Sequence, residues 1–225
     1  MTRSQSSFLF DLDGTLVDSV YQHVLAWHEA LEAEGITLSI WRIHRKIGMS
    51  GGLFTHMLLR ETGLEISAER IARLQKFHAE AYKRRSAAVQ PLPGARELLA
   101  YLTNAAIPWA IATSGRMDSA RPVLETLGVD FDRVVIVTRD QVKYAKPDPD
   151  LFLTAASRLG VEIEGATVVG DSVWDMLASR RARALGIGLL SGGYGQEELE
   201  RAGAYRVYED PADMLEHIDE VAGRQ

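Results

Sequence analysis

Four short polar clusters in this chain hold residue types that do chemistry when brought together. The first is Asp11-Leu12-Asp13-Gly14-Thr15, two carboxylates two residues apart, directly after the apolar run Phe8-Leu9-Phe10. Such a pair serves either as a turn and helix-capping device, because aspartate favours both, or as a nucleophile beside a proton carrier. The second cluster, Thr113-Ser114-Gly115-Arg116, follows Ile111-Ala112. It either begins a helix or offers a phosphoryl group hydroxyls, backbone N–H groups and a cation. The third is Lys146-Pro147-Asp148-Pro149-Asp150, in which Asp148 and Pro149 read as the N-cap and first-turn proline of the next helix. Lys146 is not needed for that cap, and a lysine there can set its charge beside a phosphate. The fourth, Gly170-Asp171-Ser172-Val173-Trp174-Asp175, puts two acids four residues apart after Thr167-Val168-Val169. They are either helix-start charges or ligands converging on a hard cation.

Each cluster closes an apolar run or opens a helix, so the elements between them decide whether they meet. Val20, Val24, Trp27 and Leu31 recur at helical spacing up to Gly35, and Ile71, Leu74, His78 and Ala81 repeat it, with no convincing strand before Ser86. Residues 19–86 therefore read as a helical insert. Gln90-Pro91-Leu92-Pro93-Gly94 is the strongest punctuation in the chain. After it strands and helices alternate: strands at Trp109–Ala112, Val134–Val137, Ala166–Val169, Gly186–Leu190 and Ala204–Tyr208, and helices around Leu98–Leu102, Val123–Leu127, Leu151–Leu159, from about Asp175, and Pro211–Val221. This alternation predicts right-handed crossovers and a doubly wound, mainly parallel, Rossmann-like α/β sheet formed by 1–18 and 87–225. Ligands of such sheets bind beyond the carboxyl ends of the strands, where strand order reverses. All four clusters fall at that kind of place.

Composition narrows the classes. The chain has 225 residues, with 25 Lys+Arg against 31 Asp+Glu for a net charge of −6, and no cysteine. Acidity argues against a nucleic-acid binder. The missing cysteines exclude disulfides, thiol catalysis and thiolate-held metals, leaving oxygen and histidine nitrogen as ligands. The apolar run ending at Phe10 is too short for a signal peptide or membrane span, so a soluble cytoplasmic protein is expected, without membrane or nucleic-acid partners, as a monomer or homodimer.

The ordered set Asp-x-Asp-Gly-Thr, strand-end hydroxyl, Lys-Pro and Gly-Asp-Ser-x-x-Asp resembles the haloacid dehalogenase superfamily of phosphohydrolases over essentially the whole chain. The insert resembles that family's small cap domain. Asp11-Leu12-Asp13-Gly14-Thr15-Leu16-Val17-Asp18-Ser19 is close to its phosphoglycolate-phosphatase-like and β-phosphoglucomutase-like branch. The resemblance implies Asp11 as nucleophile forming an aspartyl-phosphate and Asp13 as acid and then base. Thr113 and Lys146 complete the catalytic set, and Ser114, Gly115 and Arg116 bind the phosphoryl group. It implies Mg²⁺ held by Asp11, the Asp13 carbonyl and Asp171, with Asp175 in support. The second aspartate argues against carbon–halogen cleavage, which has no alcohol to protonate.

The expected activity is hydrolysis of a small phosphorylated metabolite, of phosphoglycolate or sugar-phosphate type. His23 and Trp27 lie at offsets after Asp13 that resemble the mutases and favour the alternative. Gly170, where mutases commonly carry Glu, and Gly51, where they hold a second phosphate with arginine, oppose it. The cap segment Trp41-Arg42-Ile43-His44-Arg45-Lys46-Ile47-Gly48 supplies candidate substrate contacts in Lys46 and Gly48, with His23 beside them. Arg45, Lys46 or Lys76 is expected to meet a second anionic group on the substrate, and Trp174 to pack rather than touch it. A phospho-signalling receiver and a non-catalytic binding protein are the other classes; the insert argues against the first and the complete motif set against the second.

Overall fold

Every residue of the first strand, β1 (Ser7–Phe10), is buried. Phe8 and Phe10 enter one apolar cluster and Leu9 another, so both faces of this strand are covered. That explains why its sequence is a continuous apolar run instead of a polar–apolar alternation. The protein is described as a computed structural model in which residues 6–64 and 67–222 are placed. After β1 come α1 (Val20–Ala33), α2 (Ile40–His44), α3 (Gly51–Thr62), α4 (Ala68–Arg85) and α5 (Ala95–Asn104). Then follow β2 (Trp109–Ala112), α6 (Met117–Thr126), β3 (Val135–Val137), α7 (Asp150–Leu159), β4 (Ala166–Gly170) and α8 (Val173–Ala182). The chain ends with β5 (Leu185–Leu189), α9 (Gln196–Ala202), β6 (Ala204–Tyr208) and α10 (Pro211–Glu216).

Among the described residues six strands form one parallel sheet in the order β3-β2-β1-β4-β5-β6. Leu98 and Leu102 of α5, Val123 and Leu124 of α6 and Met214 of α10 cover the face of Phe8 and Phe10. Leu151 and Phe152 of α7 and Ala178 of α8 cover the face of Leu9. Helices α1–α4 build a separate apolar cluster from Val24, Trp27, Leu31, Ile43, Phe54, Leu58 and Leu74, onto which Trp174 packs. Among the described residues, no helix is long and apolar enough to cross a membrane.

Strand order reverses at β1, which lies between β2 and β4. Phe10 is in register with both Ile111 and Val169, and Ala112 with Val137. The next residues stay tied: the Asp11 N–H donates to the Val169 carbonyl and the Thr113 N–H to the Val137 carbonyl, each at 2.9 Å. Register thus sets Asp11, Thr113 and Gly170-Asp171 along one edge.

Three local readings need correction. Asp148 does not cap α7: the helix starts at Asp150 with Pro149 at the cap position and no side-chain cap, while the Asp148 carboxylate accepts from Arg181 at 3.0 Å. The Arg181 guanidinium, a charged donor, takes the carboxylate in place of the backbone N–H groups of the first turn. Helix α8 starts at Val173, before Asp175, because Ser172 and Asp175 form a reciprocal capping box. The last helix stops at Glu216, and a short 3₁₀ turn, Ile218–Glu220, replaces its continuation.

Candidate active site

At the centre of the sheet edge, Lys146 is fully buried between two carboxylates. Its Nζ pairs with Asp11 Oδ1 and lies 2.8 Å from Asp175 Oδ1. The other oxygen of Asp175 accepts from the Ser172 N–H at 3.2 Å and the Ser172 hydroxyl at 2.5 Å, so the capping box that starts α8 also aims Asp175 at Lys146. Asp171 accepts from the Thr15 hydroxyl at 3.1 Å. One oxygen each of Asp11, Asp171 and Asp175 lies within 4.8 Å of the others, and all three residues are buried. Hard carboxylate oxygens at this density suit Mg²⁺, whose ligands are oxygens, so the donor set fits the expected ion.

Burial pushes the Asp11 carboxyl up to about 7, against the pull of Lys146 and with help from Asp175 and Asp13. Burial likewise raises Asp171 well above the usual carboxylate range, reinforced by Asp175 and Asp11. Lys146 is shifted upward: the pull of Asp11 and Asp175 outweighs its own desolvation. A carboxyl raised on folding stabilises the fold fully below its unfolded value and ceases to do so as pH rises through its folded value. For the metal-free protein Asp11 therefore costs stability progressively between about pH 4 and about pH 7. The rise in Tm on adding Mg²⁺ is expected to grow over that window, which a thermal scan at each pH will measure.

Asp13 stands beside this centre. Burial would raise its carboxyl too, but His23 and Ser19 more than offset that and hold it below its ordinary value. Ser19 donates to Asp13 Oδ1 at 2.5 Å, and His23 Nε2 lies 3.2 Å from the same oxygen. His23 in turn stacks on Tyr82 at 3.8 Å between ring centres and contacts His78 Nε2 at 3.2 Å. Burial, then His23, push the His78 ring well below its usual value. Stacking continues from His78 to Trp27 at 4.1 Å, and Trp27 meets Phe54 at 4.3 Å.

These rings wall a cavity of about 640 Å³ whose floor is Asp11, Asp13, Ser114 and Gly115. Helices α1–α4 are fastened over it. Arg45 pairs bidentately with Glu198 and lies over the Tyr194 ring, while the Tyr194 hydroxyl donates to the Arg45 carbonyl at 2.9 Å. His44 Nε2 donates to the Gly192 carbonyl at 2.8 Å and the Ser114 hydroxyl to the Gly48 carbonyl at 3.0 Å. Gly48 has φ +94° and any Cβ would lie 2.8 Å from Ser172 Oγ, so only glycine lets the two layers approach here.

A profile of the haloacid dehalogenase-like hydrolases matches residues 6–183. The chain belongs to that family. Hexitol phosphatase A of Escherichia coli is 37% identical to this hydrolase over 177 residues, 78% of each chain. Phosphoglycolate phosphatase of Rhodospirillum rubrum is 31% identical over 212 residues, 92% of this chain and 88% of that one. The crystal structure of a hydrolase from Pseudomonas syringae superposes with a TM-score of 0.95 at 58% identity, covering 97% of this chain and 100% of that one. The protein is thus a haloacid dehalogenase-like hydrolase, and the two named relatives are phosphatases.

In this hydrolase Asp11, Lys146, Asp171 and Asp175 lie together at the sheet edge, and Asp13, His23, Lys46, Gly48, Ser114, Gly115 and Arg116 line the adjoining cavity. Thr113 is fully buried, and its hydroxyl accepts from the Gly115 N–H at 2.9 Å. Ser114 is spent on Gly48, and the exposed Arg116 pairs with Asp140 at 2.9 Å. Of the three cations expected to meet a second anion, Arg45 is turned to Glu198, and Lys76 lies exposed near Glu80, outside the cavity. Lys46 does line the cavity, but its Nζ is 2.6 Å from Glu61. Trp174 packs against the α1–α4 cluster and is not among the cavity's lining residues.

Sequence reading missed Thr15, Ser19, Gln75, His78, Tyr82, Glu61 and Gly192. Periodicity marked His78 as a helix-face residue without showing that the face turns toward His23. Gly192 carried no signal, yet a Cβ there would fall 1.7 Å from Asp171 Oδ2. Gly192→Ala is expected to displace that carboxylate and weaken Mg²⁺ binding about 10- to 100-fold, as loss of outer support does. Calorimetric titration of the folded variant will test it.

Proposed function

We propose that this hydrolase is a Mg²⁺-dependent cytoplasmic phosphatase of a small phosphate monoester, of phosphoglycolate or sugar-phosphate type, acting through an aspartyl-phosphate on Asp11. The observation that carries the reading is Lys146 buried between Asp11 and Asp175, with Asp171 completing the carboxylate group and Asp13 at the cavity floor. An anionic phosphoryl group approaching Asp11 meets like charge, so the site must supply positive potential. Asp11, Asp171 and the Asp13 carbonyl, with Asp175 in support, would hold Mg²⁺, which would supply part of it by neutralising charge at the transferring group. Lys146 supplies the rest and pulls Asp11 toward its ionised, nucleophilic form against the effect of burial. Thr113, with the Ser114 and Gly115 segment, faces the phosphoryl oxygens, and Arg116 stands at the rim of the cavity paired with Asp140. Residues 19–86 act as a cap, with Lys46, Gly48 and His23 on the side of the leaving group.

Asp13 does the proton work. His23 and Ser19 hold its side chain in the carboxylate form, the form that takes a proton from the water that opens the acyl-phosphate, as a weaker base than a free carboxylate. A bound phosphate dianion raises its proton affinity, which is what donation to the leaving alcohol requires. The test is phosphate release from phosphoglycolate, sugar phosphates and nucleotides, with Mg²⁺ and then with EDTA: hydrolysis of a monoester abolished by EDTA supports the reading, and full activity in EDTA contradicts it.

The contact of His23 with Asp13 favours a second reading, a sugar-phosphate mutase. Gly170 opposes it, because a Cβ there would meet Asp175 Cβ at 2.3 Å and a glutamate has no room. Gly51 offers no cation for a second phosphate. Isomerisation of β-glucose 1-phosphate is the outcome that would promote the mutase.

A further inference from the structure

We infer that Glu61 is a specificity-determining residue: by matching the charge of Lys46 on the cavity wall, it turns the site away from leaving groups bearing a second anion and toward neutral polyhydroxylated ones. The inference rests on the phosphatase reading and selects within it.

Lys46 is the one lysine or arginine that α1–α4 and their loops contribute to the cavity lining among the described residues. Its side chain is 11% exposed and pairs with Glu61 at 2.6 Å, while Glu61 is 32% exposed and has Arg42 at 3.9 Å on its outer side. A pair this shielded is weakly screened by salt. A carboxylate or second phosphate reaching Lys46 has to displace Glu61 or sit beside it, and like charge at that distance is repulsive.

The other cations of the lining belong to the loops after β2 and β3, not to the helices over the cavity. Arg116 is matched there by Asp140, while Arg139 donates to the Val142 carbonyl at 2.8 Å and keeps its charge. His78 adds no positive charge, since its ring is held well below its usual value. Trp27, Phe54 and Met49 give the wall an apolar part, which returns nothing to a carboxylate stripped of water. The same surface suits the C–H faces of a polyol chain or sugar ring. Gln75 and the paired Lys46 provide donors and an acceptor for its hydroxyls. The volume of about 640 Å³ exceeds what a two-carbon acid requires and lies in the range of well-formed small-molecule sites.

The test compares kcat/KM for sorbitol 6-phosphate and 2-phosphoglycolate at saturating Mg²⁺, with p-nitrophenyl phosphate as a reporter of the chemistry alone. The wild type is expected to prefer the polyol phosphate by about tenfold or more, and Glu61→Gln to move the ratio about tenfold toward 2-phosphoglycolate, mainly through KM. Glu61→Ala should move it in the same direction, and adding Lys46→Met to Glu61→Gln should restore the original preference. Wild-type preference for 2-phosphoglycolate, or a ratio unmoved in both Glu61 variants, overturns the inference while leaving the phosphatase intact. Failure of all three esters, the reporter included, removes the phosphatase reading and the inference with it.

Discussion

Asp11→Asn is expected to lower kcat for phosphate release by roughly 10⁴-fold or more, the scale on which loss of a nucleophile acts, with the fold retained. The amide keeps the shape of the side chain and loses its nucleophilic charge. Two electrostatic effects on stability oppose each other. The pair with Lys146 is lost, but so is a buried charge that Asp175 and Asp13 repel and that burial itself disfavours. Because desolvation is the largest influence on Asp11 and Lys146 retains Asp175, the variant should melt no lower than the wild type in EDTA at pH 8. Phosphate-release assays and thermal scans on the same preparation separate the two effects. A stable variant with near-normal turnover would remove Asp11 from the chemistry.

Lys146→Met should damage both activity and stability. Removing one partner of a buried ion pair typically costs about 3–5 kcal/mol, because the charge left behind is uncompensated. Here two carboxylates, Asp11 and Asp175, lose the same fully buried cation. The sign with pH follows from Asp11, which sits at about 7 even with Lys146 present and rises further without it. In metal-free buffer the loss of Tm should therefore be large at pH 8 and shrink toward pH 5, where the carboxyl takes up a proton. Mg²⁺ should recover part of the stability at pH 8. Turnover should not recover with it, because an electrostatic group aimed at the transferring phosphate is worth about 10²–10³ in kcat. A variant equally unstable at both pH values would indicate packing loss in place of charge imbalance.

The fold was legible because the inner strands are short apolar runs closed by turn chemistry, and because parallel strands covered on both faces lack polar alternation; the edge strand β6, which carries Arg206 and is largely uncovered, follows from its place in the strand–helix alternation. The same regularity exposed Asp11, Thr113, Lys146 and Asp171, each next to the end of such a run or the start of a helix. Side-chain partners were another matter. Asp148 looked like a cap from its neighbours in sequence, but Arg181, 33 residues on, holds it. The basic run Arg42 to Lys46 read as a candidate anion site, and its charges are answered by Glu61 and Glu198 from elsewhere in the chain. His78 and Gln75 lie on a helix face that periodicity alone assigns to packing. Gly192 fits against Asp171 only once the loop after β5 has folded back over the site. Local rules place backbone and motif residues, whereas charge matching and close approach depend on contacts formed across the fold.

Asp11 is proposed to attack phosphorus and carry the phosphoryl group. Quenching the enzyme with acid during turnover of a monoester in Mg²⁺, reducing with borohydride and mapping the peptides by mass spectrometry tests it directly, since an aspartyl-phosphate is reduced to homoserine. Homoserine is expected at position 11, present only with substrate and Mg²⁺ and missing in Asp11→Asn. Steady turnover with no modified residue, or with the modification at Asp13, Asp171 or Asp175, would contradict it.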